Sequence, residues 1–242
     1  ARRAVSLGVP EESIHHIRNG SDLTTFNPRP INEARGRLGL PKERYLLGYA
    51  AQDTFFDLEP VLDAIKTNLD AGIDAGLVLS GNAPKGLRKS VDRRGLSDRV
   101  TFLGYLDWRD YPYFQSACDV LVVPFPETVY NVGRWPGKFG EYVAAGRPVV
   151  FNPVGDLEEF AGPDAPGIAC DFSADSFAEA FAMLHGDTSL REELGARARR
   201  LACDEMDWER SIDHFEAVYD GLINKRVPCE LCERSKKTVG GV

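Results

Sequence analysis

The chain has 242 residues, 43% of them hydrophobic, and carries a formal net charge of −8. That length and apolar content bury one substantial core, and the acidic excess speaks against a general nucleic-acid binder, which needs a basic face against a phosphate backbone. Five cysteines, an odd number with Cys118, Cys170 and Cys203 in segments that read as core or helix, speak against a secreted disulfide framework. No apolar run reaches the roughly 18 residues of a membrane span, and the opening Ala1-Arg2-Arg3-Ala4 shows no signal-peptide pattern. The expectation is a cytoplasmic protein.

Residues 1–40 read as a lead-in segment and not a domain, with a helix end, a short strand over 14–17 and a turn at Asn19-Gly20-Ser21-Asp22. On such a strand His15 and His16 face opposite sides, which argues against a shared metal ion. A main domain is expected over 41–224, where short apolar runs at 45–50, 76–80, 99–103, 120–124, 148–151 and 167–169 alternate with helical patterns. This is the βαβ rhythm of a parallel sheet. Residues 58–69 carry apolar side chains at three- and four-residue spacings, with Pro60 suited to a first helical turn.

Asp119-Val120-Leu121-Val122-Val123-Pro124 is nearly all apolar, as expected of a central strand covered on both faces. Ligands of open α/β sheets collect at the carboxyl ends of strands, so residues 125–138 become the functional candidate. Three helices follow, over 174–184, 189–203 and 208–223. The last has an apolar stripe of Trp208, Ile212, Phe215, Val218 and Tyr219 that invites a partner or a second copy if left exposed. Residues 225–242 are polar and aperiodic and read as a flexible tail. Cys229 and Cys232 in that tail lack the second pair a zinc site needs, so no metal is expected.

The most informative stretch runs from Gly133 through Arg134, Trp135, Pro136, Gly137 and Lys138 to Glu141, then on to Pro148-Val149-Val150. A glycine-rich loop leads into a short helix and then a buried strand. Small residues expose backbone N–H groups and the helix start is positive, which together attract phosphates. Glu141, one turn further in, reads as a ribose clamp or as a solvated first-turn glutamate. Lys138 and Arg134 read as phosphate ligands or as ordinary surface cations.

These residues resemble the C-terminal half of GT-B glycosyltransferases, closest to the large retaining family 4. Asn19-Gly20-Ser21-Asp22 with Phe26 resembles the family's Asn-Gly-x-Asp turn, and Arg99-Val100-Thr101-Phe102-Leu103-Gly104-Tyr105 its strand and glycine turn beside the nucleotide base. Residues 113–124 are similar to its helix, Ala-x-Asp and apolar strand. Glu141-Tyr142-Val143-Ala144-Ala145-Gly146-Arg147-Pro148-Val149-Val150 resembles its Glu-Ala-x-Ala-x-Gly-x-Pro-Val-Val segment, followed by a turn at Val154-Gly155-Asp156-Leu157-Glu158-Glu159. The likeness runs in order from about residue 5 to 223.

The resemblance implies a Rossmann-like three-layer α/β/α domain with a mainly parallel sheet of about six strands. It implies a UDP- or GDP-linked sugar as donor substrate, no separate cofactor, and transfer with retention. Glu141 then takes the ribose role, with Gly137 at the diphosphate and Gly104 and Tyr105 at the base. The acceptor half of such an enzyme is missing, so residues 1–40 read as its continuation. The chain is either a piece or a short protein working with a partner in trans, and peripheral membrane association of the whole stays open.

Two departures stand out. Where the family has a sugar-contacting glutamate eight positions before Glu141, this chain has Gly133; Glu127 and Asn131 in the same loop are the replacements considered. Where the family has an Arg and a Lys-Gly pair after the first strand, it has Gln52-Asp53-Thr54-Phe55-Phe56-Asp57. Arg134 and Lys138 are expected to replace those cations, because charge-assisted hydrogen bonds are about twice as strong as neutral ones. A degenerate, non-catalytic module acting as a binding surface, and an unrelated flavodoxin-like domain, remain alternatives.

Overall fold

The structure, a computed structural model, describes residues 2–51, 56–83 and 86–224. The tail with Cys229 and Cys232, and most of the segment expected to lack the usual cations, lie outside the described residues. Six strands, β1 (Tyr45–Ala51), β2 (Ala75–Gly81), β3 (Val100–Gly104), β4 (Val120–Val123), β5 (Val149–Phe151) and β6 (Gly167–Ala169), match the expected runs closely. All pair in parallel, in the order β3-β2-β1-β4-β5-β6. The expected α/β fold with a largely parallel six-stranded sheet is the observed one.

The helices are α1 (Arg2–Ser6), α2 (Ile31–Leu38), α3 (Glu59–Asp70), α4 (Leu87–Arg93), α5 (Tyr111–Ala117), α6 (Val129–Val132), α7 (Gly137–Ala144), α8 (Ala174–Gly186), α9 (Thr188–Glu205) and α10 (Trp208–Asn224). Because side chains alternate along a strand, the sheet feeds two cores. Leu47, Tyr49, Leu77, Leu79, Val120, Val122 and Val150 face one core with α3, α4 and α8. Leu46, Val78, Leu121, Val123, Val149 and Phe151 face the other with α2, α5, α7 and α9. The strands are apolar on both faces because both faces are covered.

The strand expected over 14–17 is not formed. That stretch lies beside the 3-10 turn Gly155–Phe160 and α10 and not at either sheet edge, so it has no strand to pair with. Side chains hold it instead: His16 contacts Asp156 at 3.3 Å, Arg18 pairs with Glu159, and the Ser211 hydroxyl donates to the Arg18 carbonyl at 3.0 Å. The turn at residues 19–22 does form, with the Asp22 carboxylate accepting from the Thr24 and Thr25 amides at 2.9 and 3.1 Å. The Thr24 and Thr25 hydroxyls donate to the same carboxylate at 2.6 and 2.5 Å and, with the amides, hold the Asp22 carboxyl well below the usual carboxylate range.

On the last helix, Trp208, Phe215 and Tyr219 of the apolar stripe are open to solvent. Strand order sets where a ligand fits. The chain builds outward from β1 through β2 to β3, then crosses back to β4 and builds the other way. The crevice beyond the carboxyl ends of β1 and β4 is the switch point of such a sheet.

Candidate functional site

The loop that leaves β4 is braced from within. Thr128 caps α6, its hydroxyl accepting from the Asn131 amide at 3.1 Å. The buried Asn131 side chain donates to the Pro126 carbonyl at 2.8 Å and accepts from Arg134 Nε at 2.9 Å. The Arg134 guanidinium lies 4.8 Å from the Phe125 ring centroid and 4.6 Å from that of Tyr130. Cation–π contact of this kind holds the head group in place. Its two terminal nitrogens make no hydrogen bond among the described residues.

Pro136 and Gly137 open α7. A side chain at Gly137 would meet nothing within 4 Å, so the start of the helix is open space. Lys138 on the first turn donates to the Ala50 carbonyl at the end of β1 at 2.9 Å and lies 4.1 Å from the Tyr49 ring centroid. These residues line a cavity of about 560 Å³ together with Tyr111, Trp135 and Glu141. A second cavity of about 790 Å³ adjoins it, lined by Ser80, Asn82, Tyr105, Asp107 and Trp108. Ala50, Tyr111 and Glu141 belong to both, so the Glu141 carboxylate stands in the wall between them.

Glu141 is half-buried, unlike the solvated side chain of the alternative reading. Tyr111 Oη donates to its Oε2 at 2.8 Å, and Gln115 Nε2 reaches the same oxygen at 3.4 Å. Burial pushes its carboxyl pKa up, while the Tyr111 hydrogen bond and the Lys138 charge act against that rise. The result is a carboxylate held at the meeting point of two cavities, with a cation beside it.

The other sequence candidates divide. Tyr105, 86% exposed, lines the larger cavity, and Gly104 turns the chain there with φ of +69°. Asn131 has its side-chain atoms committed to the loop and to Arg134, so it braces the cation. Glu127 is exposed and lines neither cavity. At Gly133 a Cβ would meet the Val129 carbonyl at 3.6 Å, an ordinary contact, so the position has room for a side chain.

Tyr111, Gln115 and Trp108 were missed by sequence reasoning. A signal existed for the first two: Tyr111 and Gln115 are a polar pair four apart on a helix otherwise turned inward by Phe114, Ala117 and Cys118. Side chains at that spacing share a face, and this one meets α7.

The family model described as Glycosyl transferases group 1 matches residues 31–201. The D-inositol 3-phosphate glycosyltransferase of Thermomonospora curvata is 28% identical over 241 residues, covering 91% of this chain and 54% of its own length. This chain therefore spans about half the length of that curated relative. Sucrose-phosphate synthase from Thermosynechococcus elongatus superposes with a TM-score of 0.79 at 23% identity, over 93% of this chain and 57% of that one. The C-terminal domain of a glycosyl transferase group 1 family protein from Francisella tularensis superposes with a TM-score of 0.65 at 20% identity, over 78% of this chain and 99% of that domain. At these identities the two structures establish a shared fold.

Proposed function

The chain belongs to the glycosyl transferases group 1, and from that premise we propose that its cleft binds a UDP- or GDP-linked sugar for transfer to an acceptor hydroxyl with retention. The carrying observation is Glu141 in the wall between two cavities, each within the roughly 300–1,000 Å³ of small-molecule sites. In this reading the nucleoside occupies the larger cavity beside Tyr105 and Trp108, and Glu141 accepts from the ribose hydroxyls. The diphosphate lies over the start of α7, where free N–H groups and the helix dipole favour an anion. Arg134 and Lys138 supply the charge.

Chemically, the bond from the sugar's anomeric carbon to the diphosphate oxygen breaks and the electron pair leaves with the diphosphate. The acceptor oxygen forms the new bond on the face the diphosphate leaves, and its proton passes to the departing diphosphate oxygen. Charge builds on the departing oxygen, so cations already in place lower the barrier. The acceptor comes from a second domain, in cis or in trans; the coverage of 54% of the T. curvata relative and 99% of the isolated C-terminal domain supports that reading. We place the protein in the cytoplasm. Cys118, Cys170 and Cys203 are free thiols, which suits a reducing compartment.

Calorimetric titration with UDP, GDP and ADP tests the proposal. Submillimolar binding of UDP or GDP that weakens in Glu141→Ala is expected. Absence of heat at millimolar ligand contradicts it.

A further inference from the structure

We propose that Tyr111 is the positioning residue of the site, aiming Glu141 at the ribose; this rests on the reading that Glu141 binds ribose. The phenol stands at the first position of α5, directly before Pro112. Its ring is held edge-on by Phe26 at 6.0 Å between centroids and stacked on Phe114 at 6.1 Å. From that fixed ring the hydroxyl donates to Glu141 Oε2 at 2.8 Å. Gln115, fully buried one turn along, reaches the same oxygen at 3.4 Å.

Two consequences follow from a donor that does not move. Oε2 is occupied from the α5 side, and no described residue donates to Oε1, which leaves that oxygen for the ligand's hydroxyls. Burial and the neighbouring Glu141 charge raise the phenol pKa, so Tyr111 stays protonated and always acts as donor. Its bond favours the charged form of Glu141 and opposes the desolvation of a half-buried carboxyl. Without the hydroxyl, only the longer Gln115 contact remains on Oε2, and the carboxyl takes up a proton at higher pH.

Tyr111→Phe keeps the ring between Phe26 and Phe114 and removes only the hydroxyl. UDP and GDP are titrated against the full chain across pH 5 to 8, alongside the 2′,3′-dideoxy counterpart of whichever binds. The wild type is expected to prefer the ribose form. Tyr111→Phe is expected to lose about tenfold in affinity for it, in the range of one charge-assisted hydrogen bond, with dideoxy affinity unchanged. The pH at which ribose-form binding falls off is expected to move up, and carbon-13 NMR of the labelled Glu141 carboxyl gives the same shift without ligand. In a Glu141→Ala background, Tyr111→Phe is expected to cost nothing further.

Equal losses for the ribose and dideoxy forms would reduce Tyr111 to packing and overturn the inference. So would an unshifted carboxyl titration. If the wild type itself does not discriminate between the two forms, the ribose role of Glu141 fails first, and the inference with it.

Discussion

At the amino-terminal ends of β4 and β5 lies a cavity of about 550 Å³ lined by Arg147, Arg191 and Arg199, close in size to the 560 Å³ cavity that holds Arg134 and Lys138 at the opposite end of the sheet. The two differ in what their cations are doing. Arg199 donates through Nη1 to the Phe26 and Ala144 carbonyls at 3.0 and 2.8 Å and through Nη2 to the Leu23 carbonyl at 3.4 Å. Arg191 caps the end of α8 through Leu184 and His185, and Arg147 donates to the Arg29 and Ser116 carbonyls at 3.1 and 2.7 Å. At the carboxyl end Arg134 commits only Nε, and Lys138 commits one bond of the three an ammonium can donate. A cation's availability to a ligand depends on how many of its donors the fold already uses, a difference that charge count alone does not register.

The sharpest way to break that contrast is the double substitution Arg134→Ala and Lys138→Ala. Nucleoside diphosphate affinity is expected to fall about a hundredfold, about tenfold for each cation removed, with a smaller loss of stability, because each cation gives up one internal hydrogen bond. Calorimetry beside thermal unfolding reads both effects. Arg199→Ala should do the reverse. Stripping partners from three carbonyls is expected to cost about 2–3 kcal/mol, seen as a drop in Tm of about 5–10 °C, while nucleotide affinity stays within about twofold.

Glu141 supplies the next test. Its raised carboxyl pKa means that the folded state holds the proton more tightly than the unfolded chain does. The group's contribution to stability is therefore present at low pH and lost as pH rises through the folded pKa. Glu141→Gln is accordingly expected to raise Tm at pH 8 by about 2–4 °C, the shift that about 1 kcal/mol gives a domain of this size, and by less at pH 4. Ligand binding runs the other way. The wild type is expected to lose affinity as pH falls through the folded pKa of Glu141, because the carboxylate that accepts from ribose becomes protonated. The smallest effect is expected from Gly133→Glu, whose Cβ meets only ordinary contacts. Stability is expected to stay within about 0.5 kcal/mol, and a few-fold gain in affinity for nucleotide sugar over the bare diphosphate would mark a restored sugar contact.

The sheet was readable because each strand is an apolar run between breakers, and apolar runs on a sheet covered on both faces carry no competing pattern. Residues 14–17 misled because a short run of Ile and His fits an edge strand, while its partners lie 140 residues away at Asp156 and Glu159. Glu141 was singled out by the helix behind a glycine-rich loop and by its resemblance to the family's glutamate. The partnership of Glu141 with Tyr111 was not, because the contact spans two helices and appears in the sequence only as a polar pair on a buried face. Likewise the contact of Arg134 with Phe125, nine residues earlier and just past the end of β4, leaves no local signal, although Tyr130 four residues back does.

The most direct test of the account is a crystal structure of the chain with the nucleoside diphosphate it binds best. The account predicts ribose hydroxyls within hydrogen-bond distance of Glu141, with the diphosphate over the start of α7 between Arg134 and Lys138. A diphosphate seated instead among Arg147, Arg191 and Arg199, or a ribose turned away from Glu141, would contradict it.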